Sequence, residues 1–335
     1  MGMSLLPQRI RSASANAPRA ILLLWLFALT LLTACRNPHP HSVRVWNPPT
    51  ALTQTTPTTT STNFQLLIYN IWGLPGWMNG APSSRYSNIA SQIDELQTDF
   101  IFLQEAWSSS SLSAIPQNPS WSAAGYQQPD CFFQRSGLVC LSRHPILNAT
   151  FYPFQQVQLP DSMVQKGALK ITIDLQSGHT LNLWNVHLQS GPPNPTRLAQ
   201  IQELAQWVRQ SEDNQIADII AGDFNCTPDS QAYALLVQHF GEDLTSNHPN
   251  PHIITYLGSN HPSDPACTLD YAFLHTKHQQ LSVTAQTHPF TPQGNLTHLS
   301  DHIGLNVQLD IQIPTTLLSA INTTASPTQE QPALD

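Results

Sequence analysis

The stretch Ile216-Ala217-Asp218-Ile219-Ile220-Ala221-Gly222-Asp223-Phe224-Asn225 decides the reading of the fold. Its apolar, β-branched run reads as a buried strand over 216–224. The run stops on Asp223 and Asn225. Strand ends are where a sheet scaffold presents polar groups to a cleft.

The pattern repeats outward from this strand in both directions. Phe64–Asn70, Phe100–Gln104, Gly137–Ser142, Leu269–Leu274, Leu281–Thr287 and Ile303–Ile311 read as strands. Ala168–Leu175 and Thr180–His187 alternate apolar and polar residues, as half-buried strands do. Three stretches carry helical spacing: Ser84–Leu96, Thr196–Gln210 and Ser230–Phe240, the last capped by Asp229. Strands outnumber helices and many are buried, which fits an α/β (α+β) domain of two packed sheets with helices outside.

Each strand run from 64 onward that is followed by a polar residue offers a candidate. Asn70, Glu105, His187, Asp223, Asn225, Asp270, Asp301 and His302 all sit at strand ends. Glu105, Asp223, Asp270 and Asp301 are hard oxygen donors, with Asn70 and Asn225 as neutral ones. Such a set suits Mg²⁺, Mn²⁺ or Ca²⁺ rather than zinc. His187 and His302, near carboxylates, are suited to proton transfer or phosphate binding. Any one of these residues taken alone reads as a turn or cap residue. The combination carries the weight.

Charge narrows the function. The chain has 335 residues, a net charge of −8 and only 10% charged residues. Five of its 13 basic residues precede residue 50, and all 21 acidic residues follow residue 90. A body this acidic is a poor match for long duplex DNA, whose phosphates demand a basic surface. A single substrate phosphate remains compatible with an acidic metal site.

The N-terminal region reads as an export signal. Arg9, Arg11 and Arg19 flank the apolar run Ala20–Leu32, which is shorter than the roughly 20 residues a membrane span needs. Leu32-Thr33-Ala34-Cys35 resembles a bacterial lipobox, in which the cysteine becomes acylated. The expectation is an exported lipoprotein held at an outer membrane or cell surface through Cys35. A plain secretory signal or a short anchor helix are the alternatives. Residues 36–63 are rich in Pro and Thr and read as a linker, spanning roughly 30 Å if flexible and about 90 Å if extended. Residues 312–335 read as a tail. Four further cysteines, Cys131, Cys140, Cys226 and Cys267, are compatible with two disulfides in an exported chain.

The local strings Tyr69-Asn70-Ile71-Trp72-Gly73-Leu74-Pro75, Leu103-Gln104-Glu105, Asn185-Val186-His187-Leu188, Gly222-Asp223-Phe224-Asn225, Leu269-Asp270-Tyr271 and Ser300-Asp301-His302 resemble the ordered motifs of the endonuclease/exonuclease/phosphatase superfamily. The series spans residues 64–311. Finer features, among them Glu105-Ala106-Trp107-Ser108, the stretch Ser136–Ile146 and Lys166-Gly167, are similar to the neutral sphingomyelinase branch. The resemblance implies a four-layer sandwich with two central mixed sheets. It implies that Glu105, Asn70 and Asp301 serve the metal, and that His302 is the general base oriented by Asp270. Asp223 would align the nucleophile or hold metal, Asn225 would bond a phosphate oxygen, and His187 would stabilise developing charge. Convergence of these strings on one cleft would also favour a Cys226–Cys267 disulfide, with buried free thiols as the alternative. Trp77 and Met78 would be candidates for touching lipid or for packing on the body.

Three function classes follow. The first is a diesterase, probably monomeric by expectation, acting on sphingomyelin or a related phospholipid. The second is a nuclease or inositol-phosphate phosphatase of the same superfamily. The third is a surface lipoprotein without activity, against which the complete acid, base and metal set counts.

Overall fold

The computed structural model describes residues 39–48, 61–74, 82–108, 110–115, 120–125, 136–174, 180–191, 195–211, 215–246, 253–258, 264–276, 282–290 and 299–312. The elements in chain order are β1 (His41–Ser42), β2 (Val45–Trp46), β3 (Ser61–Asn70), α1 (Arg85–Glu95), β4 (Phe100–Gln104), β5 (Ser122–Ala124), β6 (Val139–Ser142) and β7 (Ile146–Pro153). They continue as β8 (Gly167–Asp174), β9 (Thr180–His187), α2 (Pro195–Gln210), β10 (Gln215–Asp223), α3 (Gln231–Phe240), β11 (Glu242–Asp243), β12 (Asp270–His275), β13 (Ser282–Phe290) and β14 (Gly304–Gln312). Sheet I has the order β1-β7-β8-β9-β10-β12-β11 and sheet II the order β13-β14-β3-β4-β6-β5-β2.

Period-2 alternation gives every central strand two apolar faces. Leu66 and Ile68 of β3 and Phe100 and Phe102 of β4 face sheet I, where they meet Leu169, Ile171, Leu183 and Ile219. Leu67, Tyr69, Ile101 and Leu103 point the other way, onto Tyr86, Ile89 and Ile93 of α1. From sheet I, Trp184, Val186, Ile220 and Phe273 point outward onto Ile201, Leu204 and Val208 of α2 and Leu236 and Phe240 of α3. The layers are therefore α2 and α3, sheet I, sheet II, and α1, as the expected four-layer sandwich requires. Ile201, Leu204, Ala205 and Val208 recur at the spacing of one helix face, which is why α2 lies flat on the sheet.

Register brings the polar strand ends to one side. The parallel pairs β3–β4 and β9–β10 finish level, with Asn70 opposite Gln104 and His187 opposite Asp223. The antiparallel pairing of β10 with β12 sets Asp270 opposite Asp223. Between the sheets, Gln104 Nε2 donates to Asn185 Oδ1 at 2.7 Å, and Asn185 Nδ2 donates to the carbonyls of Leu103 and Val139 at 3.0 Å each.

Several expectations are corrected. Strand β7 has no clean alternation in its sequence, because a register shift between Ile146 and Asn148 breaks the period. The segment read as a linker contributes β1 and β2, which pair with β7 and β5. Asn47 exchanges two hydrogen bonds of 3.0 Å with the backbone of Ile146, fixing this crossing between the two sheets. Helix α3 is capped by Ser230, whose hydroxyl accepts from Tyr233 N; the Asp229 carboxylate instead accepts from Thr227 Oγ1. Cys140, Cys226 and Cys267 are free thiols. The Cys226–Cys267 pair does not form, because Asn225, at φ 52°, turns the chain out of the β10–β12 ladder, and Cys267 is bridged to Tyr256 instead. Cys35, the apolar run, Trp77, Met78, Cys131 and the tail beyond Gln312 lie outside the described residues. Among the described residues no helix is long and apolar enough to cross a membrane.

Arg85, buried at the start of α1, ties two loops together. Its Nη1 donates to the carbonyls of Ile71 at 2.7 Å and Leu299 at 2.5 Å. Its Nη2 donates to the Trp72 carbonyl and, at 2.8 Å, to Tyr86 Oη. Arg85→Met would keep the apolar bulk and strand these carbonyls without a donor. Urea unfolding should show a loss of about 3 kcal/mol or more, the scale for removing one partner of a buried charged network. A loss of about 1 kcal/mol or less would mean the carbonyls find other donors.

Candidate active site

The polar strand ends meet in one cavity of about 950 Å³, whose lining includes Glu105, Asp223, Asn225, Asp301 and His302. Three non-glycine residues around it, Trp72, Glu105 and Asn225, take the left-handed backbone conformation, at φ 49°, 61° and 52°. Residues held there are strained, and each of these directly follows a strand or sits within two residues of its end. Gly73 makes one such turn possible: a Cβ at this position would lie 1.9 Å from the Glu105 carbonyl oxygen.

Asn70 stands at the centre. Its Nδ2 donates to Asp223 Oδ2 at 3.0 Å and to Glu105 Oε1 at 3.3 Å, while its Oδ1 accepts from Trp72 N at 3.0 Å. Asp223 Oδ1 accepts from Asn225 N at 2.9 Å, and Asn225 Nδ2 donates to the Leu188 carbonyl at 3.1 Å. His302 Nδ1 lies 2.8 Å from Asp270 Oδ2, and its Nε2 is 3.8 Å from Asp223 Oδ2. His187 Nε2 is 3.5 Å from Asp223 Oδ2 and 4.0 Å from Glu105 Oε1. Asp301 holds the other wall, with its Oδ1 accepting from Ser300 Oγ at 3.3 Å. Ser300 Oγ in turn donates to the Asn70 carbonyl at 2.7 Å, which fixes the two loops against each other. All eight residues expected from sequence are thus placed around one space.

Crowded buried carboxylates resist ionisation here. Burial, then the charge of Asp270, pushes Asp223 up to about 6. Burial likewise raises Asp301 to about 6, with Glu105 adding to the shift and His302 opposing it. Glu105 is also raised, by burial first, and Asp223 adds to it. Burial works against charge on His302, but Asp270, Asp223 and Asp301 outweigh it and raise its pKa to about 10. His187 is pushed well below its usual value by burial and by Lys166 and His302.

Lys166 is a site residue that the motif reading did not assign. Its Nζ lies 2.9 Å from Asp161 Oδ2, 2.9 Å from His187 Nε2 and 2.8 Å from the Leu188 carbonyl. With a buried ammonium donating to Nε2, His187 is neutral and carries its proton on Nδ1. The positive charge on this side of the site therefore belongs to Lys166, where the resemblance had put it on His187. Asp161 is itself fixed by the backbone N and the hydroxyl of Ser190 at 2.6 and 3.1 Å. The available sequence signal was a lone lysine before Gly167, at the start of a strand.

The donor set fits a hard divalent cation. Asp223, Asp270 and His302 place one ligating atom each within 4.8 Å of one another. This trio differs from the expected Glu105, Asn70 and Asp301. His302 Nδ1, however, is engaged with Asp270, whereas Glu105 and Asp301 offer carboxylates raised by each other's presence and by burial. A cation between carboxylates relieves that repulsion, so the Glu105 side is the better fit.

Comparison with known proteins supplies the frame. The family model of the Endonuclease/Exonuclease/phosphatase family matches residues 67–302. A protein of Drosophila melanogaster named putative neutral sphingomyelinase is 26% identical over 184 residues, 51% of this chain and 41% of the relative, so the match spans less than half of that protein. Among solved structures, beta toxin from Staphylococcus aureus with bound magnesium ions shares the fold at a TM-score of 0.57 and 18% identity, covering 73% of this chain and 99% of that one. TDP2 from D. rerio, complexed with a single-strand DNA product, does so at 0.59 and 18%, covering 74% and 99%. With the model matched across most of the described body, the chain belongs to the Endonuclease/Exonuclease/phosphatase family.

Proposed function

We propose that this chain is a divalent-metal-dependent phosphodiesterase whose substrate is sphingomyelin or a related phospholipid. The observation that carries the reading is the His302–Asp270 pair facing Asp223 across a cavity whose far wall holds Glu105 and Asp301. That is a base with its orienting carboxylate on one side and a cation-binding wall on the other.

Glu105, Asp301 and Asn70 would hold Mg²⁺, Mn²⁺ or Ca²⁺. Bound there, the cation would withdraw charge from a phosphoryl oxygen and weaken the hold of neighbouring groups on their protons. The chain's own residues do the rest. Asp270 fixes the Nδ1 proton of His302 and leaves Nε2 facing the cavity. Nε2 takes the proton from a water whose oxygen attacks phosphorus, and the departing alcohol oxygen is then protonated. Asp223, within reach of Asn70, Asn225 and both histidines, orients that water. Lys166 holds positive charge beside His187, where negative charge grows on the phosphoryl group.

Substrate class rests on the likeness to a putative neutral sphingomyelinase and on charge. A second reading, action on nucleic-acid ends, has the likeness to TDP2 in its favour. The acidic body, with its −8 net charge, weighs against it.

Offered sphingomyelin, phosphatidylcholine, single-stranded DNA and inositol phosphates side by side with Mg²⁺, the full chain should turn over the first fastest, and chelator should abolish the reaction. Preferred cleavage of DNA would select the second reading, and full activity in excess chelator would remove the metal.

His302→Ala should lower kcat by about 10²-fold or more, the usual scale for losing a general base. His144 is a matched control. It sits at the opposite end of sheet II, 3.2 Å from Asp99 and packed on Phe64 and Phe100. His144→Ala should leave kcat within a few-fold, about 10-fold at most. Equal losses from the two variants would show that the base is misassigned.

A further inference from the structure

The register of sheet I fixes where the chain enters the body. The row Pro153, Gly167, His187, Asp223 and Asp270 runs across β7, β8, β9, β10 and β12 at the catalytic end. Strand β1 pairs antiparallel with β7, His41 opposite Phe151 and Ser42 opposite Thr150. Followed back from His41, the chain therefore heads toward Pro153, the catalytic end of the sheet. Six peptide units separate His41 from Cys35, a reach of at most about 22 Å. The long tether read from the sequence is thus absent between Cys35 and the body, because β1 and β2 lie within it.

The surface at that end differs from the rest. The loop after β7, residues 154–166, exposes Leu159 (68%) and Met163 (39%). It is braced from beneath: Glu203 of α2 accepts from Gln155 N and Gln156 N at 2.9 and 3.3 Å, and Gln158 N donates to Gln189 at 2.9 Å. Two exposed apolar side chains on a braced loop do not collapse into the body. Of the 21 acidic residues, Asp161 alone falls within 36–48 and 146–166, and it is paired with Lys166. Arg36 and Arg44 lie in the same segments. In a chain of net charge −8 this edge has no unpaired acid.

We propose that Leu159, Met163 and the β1 edge form a docking surface for a phospholipid bilayer, so that the catalytic mouth faces the membrane to which the chain is anchored. The short reach from Cys35, the exposed apolar pair and the lack of repelling acid select this occupant. The proposal takes the Cys35 anchor and the phospholipid substrate from the reading above. It implies action on lipid of the same membrane rather than a facing one.

The test uses the full chain with Cys35→Ser, so that binding reports the surface and not an acyl group. Its carriers are vesicles of phosphatidylcholine and sphingomyelin in equal parts. Sedimentation should show Leu159→Asp/Met163→Asp binding about tenfold or more weakly, since two apolar contacts are lost. Val237→Asp, on the exposed side of α3, should bind as the parent does. Leu159→Gln alone, which adds no charge, should give an intermediate loss. Equal binding by all variants would overturn the proposal, as would parent-like hydrolysis of vesicle lipid by the double variant. Sedimentation reads docking without turnover. A parent that binds vesicles through these residues yet hydrolyses no lipid would therefore fail the substrate reading while leaving the surface standing.

Discussion

The site depends on how closely the two sheets approach, and one buried amide pair sets that approach. Asn185 belongs to sheet I and Gln104 to sheet II. Their side chains meet at 2.7 Å, and Asn185 also takes the Leu103 and Val139 carbonyls. Elsewhere the interface between the sheets is apolar and tolerates sliding. A buried amide does not, because each lost bond leaves a polar group without water. Glu105 follows Gln104 directly, and His187 lies two residues beyond Asn185. The clamp therefore fixes the distance between the metal-side carboxylate and the histidine side of the cavity.

Above the clamp, like charges are held together at a cost. Glu105, Asp223, Asp270 and Asp301 share one buried space, and three of the four are pushed toward their protonated forms. Two cations offset this. His302 keeps its proton because carboxylates surround it, and Lys166 sits within 2.9 Å of both Asp161 and His187. A cation bound at Glu105 would complete the neutralisation, so occupancy and the protonation of His302 are coupled. Arg85, buried below, serves geometry instead: it gathers carbonyls from the loops that carry Asn70 and Asp301.

Much of this was legible because chemistry and secondary structure coincide. Strands with two apolar faces end abruptly in polar residues, so Asp223, Asp270, His187 and Glu105 announce themselves at the boundaries of buried runs. Features that depend on distant partners were not legible. Lys166 and Arg85 are single basic residues whose burial comes from loops far along the chain. Strand β7 hides because its bulge interrupts the alternation, and β1 and β2 are too short to show a period. The cysteine pairing was misjudged because continuing the register from Asp223–Asp270 leads to Cys226–Cys267 only if Asn225 stays extended, and its left-handed turn prevents that.

The central claim is that strand ends from both sheets build one cation-binding hydrolytic site. Titration of the metal-free chain with Mn²⁺, followed by electron paramagnetic resonance, tests it without any substrate. The account predicts saturable Mn²⁺ binding that Mg²⁺ displaces, weakened about tenfold or more in Glu105→Gln, since a ligand carboxylate is replaced by a neutral amide. Binding unchanged in Glu105→Gln, or no saturable binding by the parent chain, would contradict it.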